Sequence, residues 1–577
     1  MDFSKADYNF GTRSDGGAHG VVLTKPHVVD LILDLAGYRN DGDLSARRLL
    51  EPSCGHGAFL TQAVGRLLVS AKQRSVPAEH LAEAIAAFDI EMEHVLATRA
   101  NLNTVLARHG VTAETAVMLT DRWVRQGDFL LADLPSTFDF VVGNPPYVRI
   151  EQLPPELQTE YRRRYVTLYD RADLYVAFIE RSLRLLGNGG VLSFICADRW
   201  TLNKYGSPLR QLIADHFSVR AYIDLHRASP FESEVIAYPS IFVIANEENG
   251  RPVQVASLRD ATAQECAVVQ GRANGRTAAD DGVITVEYAK WFSGDDPWVL
   301  SSPEQLAALR DLEARFPLIE QTGNTSVRIG IATGCDRVYI VPDDADIEPE
   351  RLMPLVMRDD ITAGKILPGH RCVINTYEKK GTIDLDKFPR LRSYFEAHAA
   401  VLKGRHIAKK NQTGWFRTID RPYPELVTRG KLLIPDISGS NEVIYEAGNY
   451  YPHHNLYFVI SDDWDLEVLG GLLCSRVALF FVWSYAVKMR GGYLRFQAQY
   501  IRRIRVPEPL SLSPALQDSI RTAFRERDFG RLDALACAAY GISELPVFDF
   551  VDTRKNAAGS GTPTAPQHVT RSIVSRP

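Results

Sequence analysis

The chain has 577 residues, room for two to four domains at roughly 100–200 residues each. Its 66 Lys+Arg against 71 Asp+Glu leave a formal charge of −5, which excludes a histone-like binder of polyanions; any such surface must be a local patch. With 45% hydrophobic and 24% charged residues, the composition is that of a globular protein and excludes an intrinsically disordered one.

In chain order, residues 1–20 form a leader with no apolar signal segment. Residues 21–250 then alternate helical and strand-like patterns, as a doubly wound α/β sheet requires. Val28–Leu35 reads as a helix, Arg48–Leu50 as a short strand and Ala58–Ser70 as a helix. Ile85–Ile90 and Phe138–Val142 are compact apolar runs suited to buried strands. Asp173–Leu186 has helical apolar spacing and is stopped by Gly187-Asn188-Gly189-Gly190. Val191–Cys196, Tyr222–Leu225 and Ser240–Ala245 follow as strands. With the stretch before Asp128, these make seven strand candidates.

Residues 251–297 are polar and weakly patterned, which predicts a linker or peripheral hairpin. From 298 to 553 short strands and helices mix without a βαβ rhythm, an α+β domain. Residues 554–577, rich in Ala, Gly, Ser, Thr and Pro, read as a disordered tail. Leu469–Val487 has about the length of a membrane span, but Arg476 and Gly470-Gly471 interrupt it, so it reads as a buried helix and no membrane is expected. The seven scattered cysteines form no C-x-x-C pair, which argues for a reducing compartment and against a zinc ribbon.

Glu51-Pro52-Ser53-Cys54-Gly55-His56-Gly57 lies between a short strand and a helix. Glycines there let the backbone turn tightly and approach a ligand, while the carboxylate accepts hydrogen bonds from it. Alone, a G-x-G reads more readily as a tight βα turn than as a ligand loop. Asp89-Ile90 ends the next strand, where an acid can hold ribose hydroxyls, and Asp128-Phe129 ends a third, an acceptor and an aromatic suited to an adenine edge and face. Together they fit a nucleoside cofactor. No G-x-x-x-x-G-K-[ST] is present, so a P-loop ATPase is excluded.

The most informative stretch is Phe138–Val142 running through Gly143 into Asn144-Pro145-Pro146-Tyr147. Two prolines fix φ and remove two donors, so nearby carbonyls are presented rigidly as acceptors. Asn144 adds a side-chain carbonyl and Tyr147 a π face. A planar amino group would be held by two acceptors and stacked on an aromatic.

These motifs resemble the N6-adenine DNA methyltransferases of the gamma arrangement, the TaqI and Eco57I groups, over nearly the whole chain. Thr24-Lys25-Pro26 resembles their motif X and Glu51–Phe59 their motif I. Asp173-Leu174-Tyr175-Val176-Ala177-Phe178 resembles the motif whose phenylalanine lines the cofactor adenine. The resemblance implies a Rossmann-like catalytic domain over 21–250, S-adenosylmethionine as cofactor and a TaqI-like target-recognition domain over 298–553. Thr24, Glu51, Ser53, Cys54, Gly55, Gly57, Asp89, Ile90, Asp128, Phe129, Asn144 and Phe178 would then bind the cofactor. Asn144, Pro145, Pro146 and Tyr147 would act on a flipped adenine, with Tyr147 and Tyr205 stacking on it. Cys54 reads as a packing residue in the cofactor loop, not a nucleophile, and Trp200 as core. No metal is required.

Two later segments concentrate positive charge and aromatics. Lys403–Arg417 carries five Lys/Arg and no acid, and Trp483–Pro507 carries six Lys/Arg, five aromatics and no acid. Lys409, Lys410, Trp415, Arg495, Gln497, Gln499, Arg502 and Arg503 are the DNA-binding candidates, for base edges and phosphates. The adjacent His453-His454 suggest a metal only weakly, because neighbours on a strand face opposite ways. Double-stranded DNA is the expected partner, bound by a monomer in the cytoplasm of a bacterium or archaeon. A cognate restriction endonuclease or other defence subunits would accompany it. Other readings are an N5-glutamine protein or RNA methyltransferase, a nuclease fusion, and a partner-dependent DNA-binding defence subunit.

Overall fold

The computed structural model describes residues 22–548, apart from 135–136, 234–237, 274–281, 368, 439–441 and 487–493. The expected leader, 1–20, and tail, 554–577, lie outside the described residues. The chain divides into two units, Met1–Pro303 and Glu304–Pro577.

The first unit is built on a nine-stranded sheet. Its strands are β1 (Leu49–Glu51), β2 (Ile85–Asp89), β3 (Val124–Gln126), β4 (Phe138–Gly143), β5 (Leu186–Ala197), β6 (Ser218–Asp224), β7 (Pro239–Ala245), β8 (Val253–Leu258) and β9 (Val283–Tyr288). They lie side by side in the order β3-β2-β1-β4-β5-β7-β6-β8-β9. Strands β1 to β5 pair in parallel. β1 and β2 are near-continuous apolar runs buried along their whole length, as strands covered on both faces are. β7 runs antiparallel to both β5 and β6. It follows β6 with no helix between them among the described residues, and antiparallel neighbours need no crossover helix.

Six helices carry the connections that position the site: α1 (Pro26–Ala36), α2 (Ala58–Gln73), α3 (Met92–Arg108), α4 (Ala113–Trp123), α5 (Pro155–Arg164) and α6 (Tyr175–Arg184). α1 starts with a proline in its first turn and ends on Gly37 at φ +86°, the left-handed cap that glycine adopts without a Cβ penalty. Val29, Ile32, Leu60, Val64, Val142 and Ile195 belong to the core packed on the sheet.

Residues 251–297, expected as a linker or peripheral hairpin, supply the last two strands at one edge of the sheet. β8 joins β6 in parallel and β9 joins β8 antiparallel, so this stretch completes the sheet. The segment after β9 packs too: Trp291 and Trp298 have ring centroids 5.3 Å apart, and Trp298 meets Trp200 at 4.7 Å. Edge strands carry few inward apolar residues, and β9 buries only its two ends, so the stretch lacks a strong strand pattern. The unit boundary accordingly falls at Pro303.

The second unit mixes short strands and helices. One four-stranded sheet is wholly antiparallel, in the order Ser326–Ile329, Leu456–Ile460, Lys431–Pro435, Ile444–Glu446. Another orders Ile340–Pro342, Arg371–Ile374, Leu352–Val356 and Tyr451–Pro452, the last pair parallel. Lys431 and Glu446, both buried, pair across the first sheet, and the Lys431 ammonium also donates to the Tyr450 carbonyl at 3.0 Å. The apolar run at 469–487, expected as one buried helix, forms two, Leu466–Cys474 and Arg476–Tyr485, bent by 61°. Ser475 sets the break, because its hydroxyl caps the second helix at Ala478 N. Both helices are buried along nearly their whole length, and no single helix among the described residues is long and apolar enough to cross a membrane.

Candidate active site

The strand order reverses between β1 and β4, the position where open α/β sheets leave a crevice at the carboxyl ends of their strands. Glu51 closes β1 and Gly143 closes β4, and a Cβ on Gly143 would stand 3.5 Å from Glu51 Cγ. The Glu51 and Asn144 motifs, 93 positions apart in sequence, are therefore neighbours, and Ser53 donates its hydroxyl to the Asn144 carbonyl at 3.2 Å.

After β1 the backbone turns through Gly55 (φ +50°) and Gly57 (φ +83°) into α2. A Cβ on Gly57 would meet Thr98 Cγ2 at 2.9 Å, while the Thr98 hydroxyl donates to the Gly55 carbonyl at 2.7 Å. The loop is therefore held against α3 as closely as glycine permits. Asp89, at the end of β2, fixes its other side. It accepts from Gly55 N at 2.8 Å, from Glu91 N at 3.0 Å, and lies 3.0 Å from His94 Nδ1. That hydrogen bond holds His94 above the usual imidazole range. His94 was not foreseen, although its place one turn into α3, five residues after the acid, is a readable signal.

Glu51 is 1% exposed and its Oε2 has no hydrogen-bond partner. Burial, reinforced by the charge of Asp89, pushes its carboxyl well above the usual range. Cys54 is raised in the same way, so its thiol stays protonated and packs, as expected. Ile90 borders this loop and accepts at its carbonyl from Gln126 Nε2 at 3.2 Å.

Asn144 orients its amide by donating Nδ2 to the Val22 carbonyl at 3.3 Å. Its Oδ1 is buried and unpartnered. The chain at Val22 is anchored in turn. Lys25 N donates to the Pro230 carbonyl at 2.9 Å, Glu232 N donates to the Leu23 carbonyl at 2.9 Å, and Thr24 bridges Phe231. The lacing of 22–25 to 230–232 was not foreseen. The buried hydroxyls of Thr24 and Tyr147 are also unpartnered. A buried polar atom without a partner costs about 1–3 kcal/mol. Such atoms occur on Glu51, Thr24, Asn144 and Tyr147, each within a motif singled out in the sequence.

Aromatic rings stand beside these acceptors. Phe129 meets Phe178 at 5.3 Å and Phe88 at 6.2 Å between centroids, bringing two of the predicted cofactor residues together. Asp128, next to Phe129, accepts from Leu130 N at 2.8 Å and from the Tyr161 hydroxyl of α5 at 2.6 Å, and burial raises its carboxyl. Tyr147 faces Tyr175 edge-on at 6.4 Å. Tyr205 reaches this group through Tyr175, the two hydroxyls lying 2.8 Å apart. Trp200 is core, fully buried among Phe242 and Trp298.

In the second unit the predicted basic residues divide. Lys409 and Lys410 are exposed at the end of the helix His406–Lys410, and the Lys403 ammonium lies 5.0 Å over the Trp415 ring. Others are tied to their own fold: Arg495 pairs with Asp436, Arg502 with Glu320 at 3.1 Å, and Arg503 lies 5.1 Å over the Tyr485 ring. Gln499 Nε2 donates to Gln497 Oε1 at 3.0 Å.

The family described as Eco57I restriction-modification methylase matches residues 89–231 of the chain. The chain is 45% identical over 544 residues to the type II methyltransferase M.BstVI of Geobacillus stearothermophilus, covering 92% of this chain and 97% of that protein. It is 45% identical over 537 residues to the type II methyltransferase M.PaeR7I of Pseudomonas aeruginosa, covering 92% and 93%. Among solved structures, the type IIL restriction-modification enzyme MmeI in complex with DNA has a similar fold. Its TM-score is 0.60 at 12% identity, over 90% of this chain and 75% of that one.

Proposed function

The chain belongs to the type II restriction–modification methyltransferases, and from that premise we propose that it methylates N6 of adenine in double-stranded DNA. The observation that carries this reading is the Asn144 amide. Its Nδ2 is engaged by Val22, so Oδ1 is left buried and unpartnered beside Pro145, an acceptor waiting for an amino group.

S-adenosylmethionine, the cofactor, supplies an electrophilic methyl on a sulfonium sulfur. Glu51 and Asp89 accept hydrogen bonds from its polar groups, and the buried Thr24 hydroxyl supplies a further contact. Phe129 and Phe178 give its adenine an apolar wall. Asn144 Oδ1 and the Pro145 carbonyl would hold the two hydrogens of the substrate N6, raising electron density on that nitrogen as it attacks the methyl. The N–C bond would form as the C–S bond breaks, S-adenosylhomocysteine would leave, and the extra proton on N6 would pass to water. Pro145 and Pro146 keep the carbonyl fixed without competing donors. An adenine inside a duplex has its amino group paired and stacked, so the base must leave the helix, and Tyr147 offers it a new face. Much of the rate then comes from placement and from dipoles that need no rearrangement. The second unit reads the DNA, with Lys409 and Lys410 toward phosphates. A cognate restriction endonuclease is the partner this role implies.

The test is nucleoside mass spectrometry of unmethylated DNA incubated with the protein and S-adenosylmethionine, with Asn144→Ala alongside. N6-methyladenine is expected from the wild type. The variant should lose about 10²–10³-fold in rate, the scale for removing one such acceptor or donor. Methylcytosine would replace the reading. No methylated base despite cofactor binding would move it to a partner-dependent subunit.

A further inference from the structure

Among the described residues of the second unit, one group of side chains has the make-up of a metal site and no part in the reaction above. Asp336, His453 and His454 each offer one donor atom, all within 4.8 Å of one another. His453 is 2% exposed. Its Nε2 lies 3.1 Å from Asp336 Oδ2, and its Nδ1 is buried without a partner. The His453 and His454 rings stand 4.1 Å apart. They can face one another because residues 453–455 link the strands Tyr451–Pro452 and Leu456–Ile460 instead of lying within one. The alternation that sets strand neighbours on opposite faces does not apply here, which overturns the reason for expecting no metal.

The surroundings fix these groups. Thr333 donates its hydroxyl to Asp336 Oδ1 at 2.5 Å, leaving Oδ2 toward His453. His454 N donates to the Ile331 carbonyl at 3.1 Å, Ile331 N to the Pro452 carbonyl at 2.9 Å, and Ile331 bridges His453. A Cβ on Gly330 would lie 2.2 Å from the His453 carbonyl, so the two segments meet at a distance only glycine allows. A plain Asp–His hydrogen bond accounts for one ring nitrogen of His453. It does not explain why the His454 imidazole stands beside the pair.

We propose that Asp336, His453 and His454 bind a divalent transition ion of the zinc class, which pins the 330–336 segment to the 453–455 turn. Two imidazoles and a carboxylate suit zinc or cobalt and do not suit magnesium or calcium, which prefer all-oxygen sets. The Thr333 hydroxyl acts as the support that orients the carboxylate ligand. The exposed His454 leaves one side of the ion open to water.

The experiment uses the full-length chain, freed of any affinity tag and stripped of metal by chelation. It is titrated with Co²⁺ and then Zn²⁺. Expected are a visible cobalt spectrum of four- or five-coordinate character that zinc abolishes, and one zinc per chain by elemental analysis after gel filtration. His454→Ala alters an exposed side chain and should leave the circular dichroism unchanged. It should weaken zinc binding by at least the roughly 10–100-fold seen when supporting groups of metal sites are removed. Thr333→Val should weaken it less. The absence of a cobalt spectrum, or zinc binding that His454→Ala leaves unchanged, would overturn the proposal. Neither outcome bears on methyl transfer.

Discussion

Glu51 combines near-complete burial with an unpartnered oxygen, and the two have opposite consequences. Its carboxyl titrates higher in the folded chain than the ordinary value near 4.3 of an unfolded one. The folded chain therefore keeps a proton that the unfolded chain has released. Stability fully present below the unfolded value is lost as pH rises toward the folded one. Glu51→Gln cannot ionise, so thermal melts of the cofactor-free protein should show a higher Tm than wild type at neutral pH, with the gap closing in acid. Cofactor affinity should fall about 10–100-fold, the worth of a hydrogen bond to a charged group. Calorimetry in buffers of different ionisation enthalpy should detect a proton released when the cationic cofactor binds wild type, and none from the variant. Glu51 and Asp89 were legible in the sequence because each ends an apolar strand, whereas Asp128 follows the short, polar β3 by two residues. Their partners were not: Tyr161 reaches Asp128 from 33 positions away, and Val22 reaches Asn144 across 122.

The β1–α2 loop is the element on which the proposed cofactor binding turns. An alanine at Gly57 would hold φ near +83° and press its Cβ against Thr98. The left-handed conformation alone costs about 1–2 kcal/mol for a residue with a Cβ. Gly57→Ala should lower Tm and weaken cofactor binding together. Thr98→Ser, which keeps the hydroxyl on the Gly55 carbonyl and removes the crowding methyl, should restore part of both. At the 466–485 turn, Ser475→Ala should destabilise the protein by about 1 kcal/mol through loss of the cap, readable in denaturant melts. The elements the sequence announced most plainly are apolar strands buried along their whole length, such as β1, β2 and β7. β8 and β9 were hidden because strands near a sheet edge carry alternate polar residues, and the break at Ser475 was hidden inside an unbroken apolar run.

For the whole molecule, a net charge of −5 makes any grip on a duplex depend on local cations. Of the predicted basic residues, Lys409 and Lys410 are exposed, whereas Arg495 and Arg502 are paired with acids of their own unit. Such pairings join residues 59 and 182 positions apart, so no local reading of charge could have separated anchors from free cations. Lys409→Ala with Lys410→Ala should weaken DNA binding across sequences. The slope of log affinity against log salt should flatten by about 0.9 for each phosphate that a removed lysine had neutralised. An unchanged slope in a binding titration would remove both lysines from the interface.

The indole cluster at the end of the nine-stranded sheet has an optical consequence. Trp200, Trp291 and Trp298, three of the seven tryptophans, sit with successive ring centroids 4.7 and 5.3 Å apart. At such separations their transitions couple, so the near-ultraviolet circular dichroism should carry a strong signed band that vanishes when the cluster opens. All three precede residue 304, while Trp415, Trp464 and Trp483 follow it. The band would time the melting of the first unit independently of the second, with no label attached.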